Sequence, residues 1–140
     1  MKQLITLVAA MAIAAGQSYI GRVDTIGGTT YDWWYSANVH RSLVNSPQFG
    51  IHAVWMYSSD MSNTTFPDRN IRYNFYDYSF QQWNWSDPDY MQSGVNVFGQ
   101  RAGHGVIDAD STGPVSVVAH TASGVVLARD ALPGAGVMGA

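Results

Sequence analysis

From residue 16 onward the chain shows no sustained helical period. Short runs of β-branched and aromatic residues alternate instead with clusters of Gly, Pro, Asn, Asp and Ser, which predicts strands separated by turns. The cleanest alternation is Asn70 to Tyr78, NIRYNFYDY, with Ile71, Tyr73 and Phe75 on one face and Arg72, Asn74 and Tyr76 on the other. Gly50 to Ser58, GIHAVWMYS, is a nearly continuous apolar strand. Gln82 to Trp85 and Gly94 to Phe98 are shorter candidates, and Pro114 to Ala122 and Val125 to Asp130 are the last two. Ser59 to Asp68 is polar and reads as a long hairpin connection. Leu132-Pro133-Gly134-Ala135-Gly136 carries no strand pattern and predicts a flexible tail over 133–140.

The N-terminal pattern differs. Lys2 precedes an apolar run from Leu4 to Ala15 that ends in small residues, and Ala12-Ile13-Ala14 suits signal peptidase. A bilayer span takes roughly 20 apolar residues, so this run is short for an anchor. The expectation is a signal-peptide helix over residues 1–15, cleaved near Ala14 or Ala15. The mature protein is then secreted or on the cell surface (extracellular or periplasmic), with no membrane association after cleavage.

The chain also repeats. At an offset of 64, residues 40–59 overlay residues 104–123 without a gap: His40 meets His104, Leu43 meets Ile107, Ile51 meets Val115 and Val54 meets Val118. Each copy runs strand, tight turn, apolar strand, loop, amphipathic strand, and in the first copy a fourth strand can follow. Repeated units of four antiparallel strands follow the logic of propeller blades. The predicted organisation is a lead-in over 16–35, a first blade over 36–99 and a second, incomplete blade over 100–132.

Composition narrows the function classes. The chain is 46% hydrophobic and 12% charged, with a net charge of −3 and one lysine, so no basic footprint for nucleic acid is expected. All ten acids are aspartate, a residue of turns and caps, and there is no cysteine for disulfides or thiolate metal sites.

Few residues suggest chemistry. Asp108-Ala109-Asp110-Ser111-Thr112-Gly113 begins like a calcium loop, which makes Asp108 and Asp110 weak metal candidates. The pattern lacks further ligands and reads better as an Asp- and Gly-stabilised β-turn. The histidines lack metal-ligand spacing. His40 and His104 are repeat-equivalent, which a shared structural duty explains most simply; on the channel side of a propeller they and Arg101 could instead meet a ligand. Trp83 and Trp85, at alternate strand positions, would project from one face, where the ordinary reading is packing between blades and the alternative is stacking on a sugar. No catalytic constellation, phosphate loop or nucleophile elbow is present, and no cofactor is expected.

The segments GIHAVWMYS, RNIRYNFYDYSFQQWNW, GVNVFGQRAGHGVIDAD and GPVSVVAHT together resemble the repeats of exported bacterial sialidase-like β-propeller proteins. The resemblance covers roughly residues 36–130, and the Asp-box of sialidases (Ser-x-Asp-x-Gly-x-x-Trp) is absent. It implies an all-β fold of antiparallel four-stranded blades forming part of a propeller. The expected function is a non-enzymatic repeat module for surface display or for binding a glycan or protein. The rival expectation is a fragment of a sialidase-like glycoside hydrolase whose catalytic residues lie on other blades. An incomplete propeller is also expected to self-associate.

Overall fold

The computed structural model describes residues 23–31 and 41–139. The expected signal peptide, most of the lead-in and His40 lie outside those residues.

The described residues form an all-β protein of antiparallel strands, with a single 3-10 turn at Tyr90–Gln92 and no α-helix. The first sheet contains β1 (Leu43–Ser46), β2 (Gly50–Tyr57), β3 (Asn70–Asp77), β4 (Gln82–Trp83) and β5 (Val95–Asn96). Its order is β1-β2-β3-β4, and β5 shares the outer edge of β3: β4 pairs with Tyr76 and Asp77, β5 with Arg72 and Tyr73. The second sheet is a four-stranded meander of β6 (Gly103–Ala109), β7 (Val115–Thr121), β8 (Gly124–Asp130) and β9 (Met138–Gly139). Neither sheet closes into a barrel, and the described residues form no propeller ring.

The two leading hairpins share one register. Leu43 pairs with Ala53 and Asn45 with Ile51 in the first; Ile107 pairs with Val117 and Ala109 with Val115 in the second. Every one of these pairs is related by the 64-residue offset. The third strands depart from it, because a long loop over 58–69 separates β2 from β3 while a tight turn joins β7 to β8.

Burial follows the strand period. Ile71, Tyr73 and Phe75 of β3 join Val54 and Met56 of β2 in a core against Ile107, Val115, Val117, Ala119 and Ala128 of the second sheet. Ile107, Val115 and Val117 are fully buried, each side chain contributing about 1.5–3 kcal/mol. The opposite face of the first sheet is covered by residues 26–28 and 85–94. There Trp55 Nε1 donates to Gly28 O at 3.2 Å, and Arg72 Nη1 donates to the carbonyls of Met91 and Ser93. Covered on both faces, β2 is buried along nearly its whole length, which explains its unbroken apolar sequence. β7 buries one face only and alternates.

Two asparagines on β3 fasten the loops. Asn74 Nδ2 donates to Ile26 O and Trp85 O, while its Oδ1 accepts from the backbone of Phe75 and Trp85. Asn70 likewise donates to Phe98 O and Gln100 O. Both amides are buried, so this saturation offsets their desolvation.

Residues 133–139 depart from the expected flexible tail, since Met138–Gly139 pairs with Arg129 and Asp130 as β9. The Asp130 carboxylate accepts from the backbone of Gly136 and Val137, both at 3.1 Å, which fixes the return. Gly134 (φ 69°) and Gly136 (φ 65°) make the bend, and their missing side chains admit the rings of Phe75 and Trp85. A composition of Gly, Pro and Ala concealed this strap.

Candidate functional site

The equivalent turns of the two hairpins lie side by side. Between them is a cleft of about 190 Å³ whose lining includes Ser46, Pro47, Phe49, Ala109, Asp110 and Gly113. Phe49 closes over Gly113, where a Cβ would stand 2.5 Å from its ring.

Behind the cleft a chain of polar side chains runs through the core. Ser46 Oγ is 3.1 Å from His52 Nε2, and His52 Nδ1 is 2.7 Å from the Tyr73 hydroxyl. The Asp130 carboxylate acts on Tyr73 from the strap side. In the neutral imidazole one ring nitrogen donates and the other accepts, so of Ser46 and Tyr73 one donates to the His52 ring and the other accepts from it. All four are buried: Ser46 at 5% exposure, His52 and Tyr73 at 0%, Asp130 at 1%. Burial lowers the His52 pKa to about 4, so the imidazole is neutral at physiological pH. Burial, then the charge and hydrogen bond of Asp130, raise that of Tyr73. Hydrogen bonds join Ser46, in the first hairpin turn, to His52 and Tyr73, with Asp130 buried near them, and of the four only Ser46 reaches the cleft. Its residues come from β1, β2, β3 and β8, a constellation that no local spacing in the sequence reveals. The available signal was a histidine within an apolar strand, which needs a partner once buried.

The residues singled out from sequence do not converge. His40 falls outside the described residues. Arg101 donates to Thr65 O at 2.8 Å and Phe66 O at 3.1 Å, anchoring the long loop. His104 lies at an irregularity of β6 with φ 55°, its backbone N–H directed at the Met56 sulfur. Trp83 and Trp85 occupy opposite sides of β3, contrary to the expectation of a shared face. The Trp83 ring packs on Tyr76 and the Trp85 ring on the core residue Tyr73. β4 ends at Trp83 and the chain turns at 84–85, so the two-residue alternation lapses; Asn74 Oδ1 accepts from the Trp85 N–H just past that turn.

Asp108 and Asp110 face arginines. Arg41 Nη1 donates to Asp108 at 2.6 Å, and Arg129 pairs with Asp110. Hydrogen bonds from the Thr112 side chain, Arg129 and the Thr112 backbone lower the Asp110 pKa to about 2. Among the described residues, no group of three or more His, Asp or Glu side chains is arranged to hold a metal ion.

Trp83 also lines an open hollow of about 420 Å³ with Tyr90, Gln82, Ser86, Asp24 and Thr25. Tyr90 is 55% exposed there. An aromatic pair rimmed by amide, hydroxyl and carboxylate groups suits a ligand with apolar C–H faces and several hydroxyls.

Set against family models, curated proteins and solved structures, the chain matches none of them.

Proposed function

We propose that this chain is an exported, non-enzymatic repeat module of the β-propeller type that binds a carbohydrate through the Trp83–Tyr90 hollow. The hollow carries the reading: its aromatic surfaces offer stacking area, and Gln82, Ser86 and Thr25 offer hydrogen bonds to hydroxyls. The common register of the two hairpins supports the repeat, and Lys2 with the apolar run to Ala15 supports export. The resemblance to sialidase-like repeats in sequence points the same way.

The disposition of the carboxylates favours binding over hydrolysis. Asp60, Asp68, Asp77, Asp87 and Asp89 accept from nearby backbone N–H groups in loops and turns. Asp108 and Asp110 are paired with arginines, and Asp130 is buried under the strap. Glycoside hydrolysis by the usual route needs two carboxylates facing across a substrate.

A glycan panel presented to the exported protein tests the reading, with intrinsic fluorescence as the readout. Binding by wild type that Trp83→Ala abolishes is the expected result. Absence of binding across the panel, or binding indifferent to Trp83, refutes it.

A further inference from the structure

The interface between the two sheets joins faces that are not equivalent. The first sheet contributes the face bearing His52, Val54 and Met56; the second contributes Val115, Val117 and Ala119. Under the 64-residue offset, the first set corresponds to Ser116, Val118 and His120, which lie on the outer face of the second sheet. The second set corresponds to Ile51, Ala53 and Trp55, which lie on the outer face of the first. The sheets therefore stack head to tail, and each end of the stack presents a face of the kind its partner used inside.

Both ends are open in part. On the second sheet, Val106, Val118 and Leu127 stand directly opposite one another across three strands, at 39%, 37% and 54% exposure. Val125, 75% exposed, continues the patch beside His120. On the first sheet, residues 26–28 and 85–94 cover the Trp55 end, but Leu43 is 58% exposed and Ile51 only half-buried. Their equivalents Ile107 and Val115 are fully buried in the internal interface.

We infer that a second copy of this chain docks the Leu43–Ile51 end of its first sheet onto the Val106–Val118–Leu127 face, extending the internal stacking between chains. This inference rests on the repeat reading above. The contact is heterologous, because the two surfaces differ, so it can propagate or close into a ring. Closure at the roughly four to eight blades of propellers corresponds to about two to four chains.

Sedimentation velocity over a wide concentration range, on wild type, Leu127→Asp and Leu43→Asp, provides the test. Wild type should associate reversibly into species of about two to four chains. Each variant alone should lose association on the order of tenfold or more. Mixed together, the two variants should form a one-to-one dimer, since each retains the face that the other lacks. Circular dichroism checks folding, and Val125→Asp replaces Leu127→Asp if that variant unfolds. A strictly monomeric wild type overturns the inference, as does a Leu43→Asp variant that associates like wild type or a mixture that stays monomeric. Glycan binding through Trp83 is read separately, so loss of the assembly leaves the proposed binding function standing or falling by itself.

Discussion

The Tyr73 hydroxyl lies 2.7 Å from His52 Nδ1, with both side chains fully buried between the sheets. The pair couples neighbouring central strands through side chains as well as through the backbone ladder, and the Asp130 charge acts on Tyr73 as well. A buried polar chain of this kind is costly to break at any link, because the groups left behind lose a partner and cannot reach water.

The protonation of His52 makes stability depend on pH. Burial holds its pKa near 4 rather than 6.5, so between those values the unfolded chain binds a proton that the folded chain does not. Stability is complete above about 6.5, falls as pH drops through the interval and levels off below about 4. The contribution lost is on the order of 3 kcal/mol. Denaturant unfolding of wild type and His52→Leu across this range measures it. The variant should be less stable at neutral pH and its curve flatter, and equal slopes would contradict the assignment.

Gly50→Ala should destabilise by about 3 kcal/mol or more, since overpacking here meets backbone as well as side chain. A Cβ at Gly50 would lie 1.9 Å from the Tyr76 carbonyl oxygen and 2.7 Å from the Phe75 ring. Thermal unfolding provides the measurement. A melting temperature equal to wild type would show that β2 and β3 separate there more easily than the packing implies.

Asp68 organises the long loop after β2. Its carboxylate accepts from the Ser58 hydroxyl and from the Ser59 backbone and hydroxyl; burial raises its pKa, and these bonds together bring it below the usual value. Asp68→Ala should cost about 1–2 kcal/mol, with the loop opening before the sheets do. Limited proteolysis should therefore cut first within 59–68, and hydrogen exchange should accelerate there while β7 remains protected.

Asp108 and Asp110 are expected to bind calcium no tighter than other surface carboxylates, because Arg41 and Arg129 already occupy them. A calorimetric titration should show no micromolar site. Micromolar binding abolished by Asp110→Ala would make this turn a metal loop.

Much of the secondary structure was legible in the chain. The two faces of Asn70–Asp77 follow from strict alternation, and the 64-residue offset anticipates the common register of both hairpins. These are local properties: the strand period sets which side chains share a face, and a tight turn sets which residues pair. The segment from Pro133 defeated the same reasoning. Its strand is two residues long and is held by a carboxylate reached through the fold, with no alternation to reveal it.

Which face meets which neighbour was decided only in three dimensions. Leu43 and Ile107 hold the same position in equivalent hairpins, yet one is 58% exposed and the other fully buried. Strand period assigns both to a common type of face and cannot say which copy has a sheet laid over it. Trp83 and Trp85 likewise lie two residues apart but on opposite sides of β3, because β4 ends at Trp83 and the chain turns before Trp85, whose N–H is held by Asn74. The Ser46–His52–Tyr73–Asp130 chain draws on four strands up to 84 residues apart, so its geometry exists only once the sheets have packed. Sequence alone determined strands, turns and hairpin register, which depend on near neighbours. Tertiary structure decided burial, polar connectivity and the open faces, which depend on contacts between residues distant along the chain.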